Sequence, residues 1–196
     1  GVRAMLADQG RDLVAPYYAQ SRIAYDRLHS GRGCMHVALN PDGVFHSSGF
    51  RAQPQRVGAE IRRLGARRVL ELGAGLGFNS LFLAPRHPGV EFVALDLLEA
   101  HVAEIDRRAH AQGLATVSAV QGSHQALPPG LGRFEVIFAV ETLCYAVDPT
   151  RVAAGIAAHL APGGRVVIFD PLASPPEAAL PPPKAPAKPL YPLGGG

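Results

Sequence analysis

A rhythm of five short apolar runs, each followed by a polar or amphipathic stretch, constrains this chain more than any other feature. The runs are RVLELG (68–73), VEFVAL (90–95), TVSAVQ (116–121), FEVIFAV (134–140) and RVVIFD (165–170). Each is rich in Val, Ile, Leu or Phe and short enough to be a strand covered on both faces. The stretches 77–86, 99–112 and 149–161 read as helices. The second starts at acidic Glu99 and stops before Gly113; the third follows Asp148, a candidate cap, with Pro149 in its first turn. Strand and helix alternating in this way predict an α/β fold, an open, mainly parallel sheet with right-handed crossovers and helices on both faces.

Upstream, 11–29 and 50–64 read as two helices around SGRGCMHVALNPDGVFHSSG (30–49), whose glycines, serines and Pro-Asp-Gly triplet mark loops and turns. A lid or substrate loop fits there. After Asp170 the pattern stops: nine of the last 26 residues are proline, a composition expected to be extended or disordered. The chain therefore divides into an N-terminal helical and lid segment (1–56), a ligand-binding core (57–170) and a Pro-rich tail (171–196).

Composition removes several classes of function. Of 19 basic residues only Lys184 and Lys188 are lysines, and the arginines are dispersed in pairs such as Arg62-Arg63 and Arg107-Arg108. A nucleic-acid groove would concentrate basic residues into a stripe with interleaved aromatics, so no nucleic-acid partner is expected. Cys34 and Cys144 stand 110 positions apart without metal-ligand spacing, which argues against a disulfide framework and a metal site. Free thiols in a reducing cytoplasm are the expectation. No window approaches the ~20 apolar residues of a membrane helix.

In an open parallel sheet, ligands bind beyond the carboxyl ends of the strands, where the strand order reverses. The loop Gly73–Gly77 leaves the first core strand at such a place, and its glycines permit positive φ and close approach of a ligand to the backbone. Asp96 closes the next strand nineteen residues after Gly77, where a carboxylate can accept hydrogen bonds from both hydroxyls of a ribose. The pair indicates a nucleoside-containing cofactor. A dinucleotide fingerprint starting at Gly73 would need its third glycine where Phe78 stands, and a phosphate-binding P-loop would need a Gly-Lys-Ser/Thr that is absent. What remains is E-x-G-x-G-x-G, with Glu71 ahead of Gly73, Gly75 and Gly77. A carboxylate there disfavours a diphosphate and favours a cationic ligand such as S-adenosylmethionine, which carries an ammonium and a sulfonium.

In this order the segments VLELGAGLGFNSLFLA, VEFVALD, VQGSHQALP, FEVIFAVETLCYAVDP and LAPGGRVVIFDP resemble the five motifs of the class I, Rossmann-like S-adenosylmethionine-dependent methyltransferases. The resemblance covers roughly 57–170. GFNSLFLA, ETLCYA and the upstream tyrosines with MHVAL are similar to the small-molecule group related to sterol and tocopherol C-methyltransferases. The resemblance implies that Gly73, Ala74, Gly75 and Gly77 wrap the methionine part of the cofactor, that Glu71 helps orient its ammonium through backbone or water, and that Asp96 holds the ribose diol. Leu97 would pack on adenine or simply in the core. Ser123 stands where many members have Asp, and His124 would either stack on adenine or face solvent. Tyr17 matches the N-terminal tyrosine that closes over the cofactor. At the end of the fourth strand, Val140 borders the cofactor and Glu141 is the candidate general base or cation stabiliser, with a capping or ion-paired carboxylate as the alternative. Tyr145 and His36 are candidates for the acceptor side.

The implied activity is in-line methyl transfer to a small, apolar or amphipathic acceptor. The family fold adds a helix and an antiparallel strand pair after the fifth strand, and nine prolines cannot supply paired strands. The chain is therefore expected to be C-terminally incomplete or covered there by another chain, with an exposed fifth-strand edge available for homo-oligomers. A cofactor-binding fragment or accessory subunit without turnover is the alternative. NAD-dependent oxidoreduction is a third reading, disfavoured by Phe78 and Glu71.

Overall fold

The computed structural model describes residues 33–171. The expected helix over 11–29, Tyr17, and all of the Pro-rich tail beyond its first residue lie outside them.

A 3-10 turn at Ser47–Arg51 runs into helix α1 (Ala52–Leu64), which buries Val57 and Ile61 and stops at Gly65 in the left-handed conformation. The expected division at 56/57 thus falls inside one helix. Strand β1 (Arg68–Leu72) leads through the glycine loop into a short helix α2 (Phe78–Leu83), continued by a 3-10 turn at Ala84–Arg86. Then come β2 (Glu91–Asp96), α3 (Glu99–Ala111), β3 (Val117–Gln121), β4 (Phe134–Val140), a 3-10 turn at Leu143–Tyr145, α4 (Pro149–His159) and β5 (Leu160–Phe169). Helix α4 is started by Asp148, whose carboxylate accepts the Arg151 N–H.

The five strands form one parallel sheet in the order β3-β2-β1-β4-β5. The chain builds outward from β1 through β2 to β3 and then returns to the other side of β1, so the order reverses between β1 and β4. Side chains alternate across the sheet. Val69, Phe92, Val136 and Phe138 pack on one face with Val57 and Ile61 of α1, Leu81 of α2 and Ile105 of α3. Leu70, Leu72, Val93 and Ile137 pack on the other with Val152 and Ile156 of α4. Burial on both faces explains why the strands read as continuous apolar runs.

The fifth strand differs from its sequence reading. Leu160 and Ala161, expected to end the preceding helix, and the Pro-Gly-Gly after them are part of β5: Leu160 pairs with Phe134, the register then shifts, and pairing resumes at Arg165 opposite Val136. Pro162 lacks a donor and Gly163 takes a φ of 75°, which absorbs the extra residues without ending the strand. Among the described residues β5 has no neighbour on its outer side, and Val166 and Ile168 are 38% and 50% exposed.

Candidate functional site

The loops at the carboxyl ends of β1, β2, β3 and β4 converge on one cavity at the reversal point, closed on one side by the segment 33–37. The loop after β1 is drawn against the end of β2. The Ala74 N–H donates to the Leu95 carbonyl at 2.9 Å, and the Gly75 N–H donates to Asp96 Oδ2 at 2.7 Å. Gly73 and Gly75 take φ values of 64° and 56°. A Cβ on Gly73 would run into the Thr142 side chain, and one on Gly75 would lie 2.8 Å from the Met35 sulfur. Both positions need glycine for conformation and for space.

Asp96 is the polar hub of the cavity. Its Oδ1 accepts the Leu98 N–H at 3.0 Å and stands 3.0 Å from Nδ1 of buried His101. With the Gly75 bond counted, Oδ2 keeps capacity to accept a further hydrogen bond. Leu97, Ser123 and His124 line the same end. His124 Nε2 is buried without a partner, and burial pushes this ring below the usual histidine range, which keeps it neutral at physiological pH.

At the other end, β4 stops at Val140 and the chain turns sharply. Glu141 has a φ of 50°, rare for a residue with a side chain, and its N–H donates to the Phe169 carbonyl at 2.6 Å. The turn carries the Glu141 carboxylate back to the covering segment, where Oε1 accepts the Val37 N–H at 3.0 Å. His36 is held in that segment by Nε2, 3.0 Å from the Phe50 carbonyl, with its ring edge-on to Phe78 at 5.6 Å. A carbonyl can only accept, so Nε2 carries the proton. Tyr145 and Val140 complete this side. Cys34, fully buried beside His36, is pushed up to about 12 by burial, which leaves it an inert thiol.

Two expected site residues do not line the cavity. Gly77, at a φ of 80°, begins α2 and faces Ile105 of α3, so its lack of a side chain serves helix packing. Glu71 points between the sheet and α2. Its Oε1 accepts from Asn79 Nδ2 at 2.9 Å, and Oε2 accepts the Ser80 N–H at 3.1 Å and the Ser80 hydroxyl at 2.5 Å. Gly77 cannot cap α2 with a side chain, and Glu71 takes the N–H it leaves open. Burial nevertheless dominates over these bonds and pushes the carboxyl up to about 7, with the charge of Asp96 adding to the effect. Glu71 thus lies one layer behind the cavity, where any influence on a ligand is indirect, in keeping with the expected action through backbone or water.

The structure also brings in residues that the sequence reading passed over: Met35, Phe78, Asn79, His101 and Thr142. Position five after Asp96 is one turn into α3, a signal that could have found His101. The others come from loop geometry that has no sequence period. Among the described residues no cluster of His, Cys, Asp and Glu could hold a metal ion, and no helix is long and apolar enough to cross a membrane.

The methyltransferase domain family matches residues 69–164. The demethylmenaquinone methyltransferase of Thermus thermophilus is 32% identical over 104 residues, 53% of this chain and 47% of that protein. The trans-aconitate 2-methyltransferase of Deinococcus radiodurans is 31% identical over 136 residues, 69% of this chain and 50% of that protein. The chain spans half or less of the length of the curated relatives it matches. Among solved structures, the cyclase SpnF superposes with a TM-score of 0.70 at 22% identity, covering 79% of this chain and 58% of that one. A methyltransferase from Geobacter sulfurreducens, solved in complex with S-adenosyl-L-homocysteine, superposes with a TM-score of 0.54 at 22% identity, covering 75% and 54%. At that identity the two structures speak for the fold.

Proposed function

We propose that this chain, whose residues 69–164 match the methyltransferase domain family, binds S-adenosylmethionine and transfers its methyl group to a small-molecule acceptor. The observation that carries this reading is the hydrogen bond that joins the Gly75 N–H of the glycine loop to Asp96 at the sheet's reversal point, with Gly73, Gly75 and Asp96 all lining the cavity. The donor set fits the cofactor. Backbone free of Cβ atoms suits the methionine end, a carboxylate suits a ribose diol, and the neutral His124 ring beside Ser123 suits a flat base. The fold alone would not decide the matter, since a cyclase shares it.

The cofactor supplies an electrophilic methyl group on a sulfonium whose departing thioether needs no protonation. The protein's contribution is position and exclusion of water, which can account for about 7–11 kcal/mol of a barrier. Gly73 and Gly75 set the depth of the methionine end, and Asp96 and Leu97 fix the nucleoside. Val140 and Tyr145 border the acceptor space, and the segment 33–37 shields it, with His36 held by Phe50. Glu141 is the group that takes a proton from the acceptor, or balances positive charge on it, once its hold on Val37 is released.

The acceptor is small and apolar or amphipathic. Support for an apolar or amphipathic acceptor comes from the resemblance to sterol and tocopherol C-methyltransferases and from the relative named for demethylmenaquinone, while the relative named for trans-aconitate, a tricarboxylate, supports small size alone. Calorimetry with S-adenosylhomocysteine is the test. Binding to the protein, with a loss of tenfold or more in Asp96→Ala, is expected from loss of charge-assisted hydrogen bonds. Folded protein that ignores this ligand would refute the reading. The open outer side of β5 favours a second reading, a cofactor-binding fragment or subunit without turnover. It predicts the same calorimetry with no methyl added to any acceptor in a mass-spectrometric screen.

A further inference from the structure

A second groove, of about 620 Å³, lies between the 3-10 turn at Ser47–Arg51, helix α2 with the turn that continues it, and the end of α3. Of its lining residues only Phe78 also borders the cavity at the sheet's reversal point. The two hollows differ in charge. Asp96 and Glu141 line the cavity, whereas Arg51, Arg86 and Arg108 line the groove and no described carboxylate does.

Arg108 is matched by Glu104 at 2.6 Å, as Arg63 is by Glu60 and Arg68 by Glu91 on other faces of the molecule. Arg51 and Arg86 have no acidic partner among the described residues, and one aromatic ring gathers them. The Arg86 guanidinium carbon lies 3.8 Å from the centre of the Phe82 ring, and its Nη1 donates to the Phe82 carbonyl at 2.7 Å. The Arg51 guanidinium carbon lies 6.0 Å from the same centre. Stacking on an aromatic face holds a planar guanidinium in place, so less freedom is lost when it grips an anion. Arg86 has spent one N–H on the carbonyl and keeps the rest of its donor fork.

A solvated face is the ordinary setting of an arginine, and there each charge is screened by water. Here two like charges meet over an apolar floor that includes Phe78, Leu81 and Phe82, where the field is focused and the repulsion between them is unrelieved. An anion set between the two removes that repulsion. The exposed hydroxyls of Ser47 and Ser48 at the edge supply further donors.

We propose that this groove binds an organic anion, a carboxylate or phosphate ester with an apolar body. Arg51 and Arg86 take its acid group, and Phe82, Leu81 and Phe78 carry the body. The site does not depend on the cofactor reading. The carboxylates of the cavity repel such a ligand, so it occupies the groove and leaves the cavity free.

The test titrates the isotope-labelled chain by NMR with phenylacetate, phenyl phosphate and the neutral phenylacetamide. At least one acid should move the backbone signals of Ser48, Phe82 and Arg86 saturably, with a dissociation constant of about 1 mM or below. The neutral amide should bind about tenfold more weakly, the range of one hydrogen bond to a charged group. Whichever acid binds more tightly identifies the source as carboxylate or phosphate. Arg51→Gln and Arg86→Gln should each weaken the acid about tenfold and leave the amide within about twofold. Arg86→Lys keeps the charge without the fork and should fall between. Arg86 is exposed, so its variants fold; if Arg51→Gln disturbs its turn, Arg86→Gln decides alone. Equal binding of acid and amide overturns the role of charge, and unchanged affinity in the glutamine variants overturns the site. Acids that give no saturable shift, or shift only Asp96 and Ser123 in the cavity, overturn the proposal outright. None of these results touches the cofactor reading, which is tested by S-adenosylhomocysteine.

Discussion

Glu71 gives a prediction whose sign and size both follow from its surroundings. The carboxyl is 1% exposed, and burial raises it from 4.5 to about 7 in the folded protein. A tenfold change in proton affinity is worth about 1.4 kcal/mol, so this displacement amounts to about 3 kcal/mol. Below the ordinary value both folded and unfolded chains carry the proton, and the stability contribution is complete. As pH rises the unfolded chain ionises first, unfolding releases a proton, and stability falls until the folded carboxyl ionises near 7. Glu71→Gln has no charge to bury and should escape this decline, at a constant cost of about 1–3 kcal/mol for an amide N–H turned toward the donors of Asn79 or Ser80. Urea unfolding of both proteins from about pH 5 to about pH 8 isolates the effect, because other titrating groups cancel in the difference. The stability of the variant minus that of wild type should rise with pH by up to about 3 kcal/mol and level off above neutrality. A difference that stays flat across the range, or falls, would refute the claim that desolvation outweighs the three hydrogen bonds on this carboxylate.

Other expectations rest on separate parts of the molecule. Gly73→Ala should cost about 1–2 kcal/mol from its φ of 64° plus the overlap with Thr142, and adding Thr142→Gly should recover the overlap but not the conformational part, read by thermal melts. Asp148→Ala should lower stability by about 1 kcal/mol through loss of the α4 cap, with S-adenosylhomocysteine affinity unchanged. If the β5 edge joins two copies, wild type should self-associate in sedimentation experiments and Ile168→Lys should abolish this; wild type that stays monomeric at every concentration would rule the edge out.

The sheet was legible because its strands are buried on both faces. Phe134, Ile137 and Phe138 are fully buried, and no other short element accepts so apolar a run. Helix ends were legible where a local rule sets them, as just before Gly113 and at Asp148 with Pro149. The beginning of β5 was not, because the apolar pattern sets in only at Arg165, after Pro162, Gly163 and Gly164, and the neighbouring β4 alone decides that these bulge within a strand. In the site, Gly73, Gly75 and Asp96 announce themselves by residue type. His101 and Asn79 do not: each bonds an acidic residue five or eight positions away, and residue type alone shows neither the bond nor the cavity.

Glu71 shows why residue type alone misplaces a functional group. An acidic residue beside a glycine loop invites a direct electrostatic role, but strand alternation already speaks against one. Val69 and Glu71 share a face of β1, and Leu70 and Leu72 share the other, so Glu71 must point where Val69 points, into the layer beneath the helices. A side chain in the body of a strand cannot reach a ligand that lies beyond the strand's end. Its partners have to come from the helix packed above, and α2 brings Asn79 and Ser80 to it within its first turn. The loop positions Gly73 and Gly75, by contrast, have left the sheet and are free of that alternation. An acidic residue two places before such a loop is therefore spent on the start of the following helix, and in this chain Asn79 and Ser80 take up both of its oxygens.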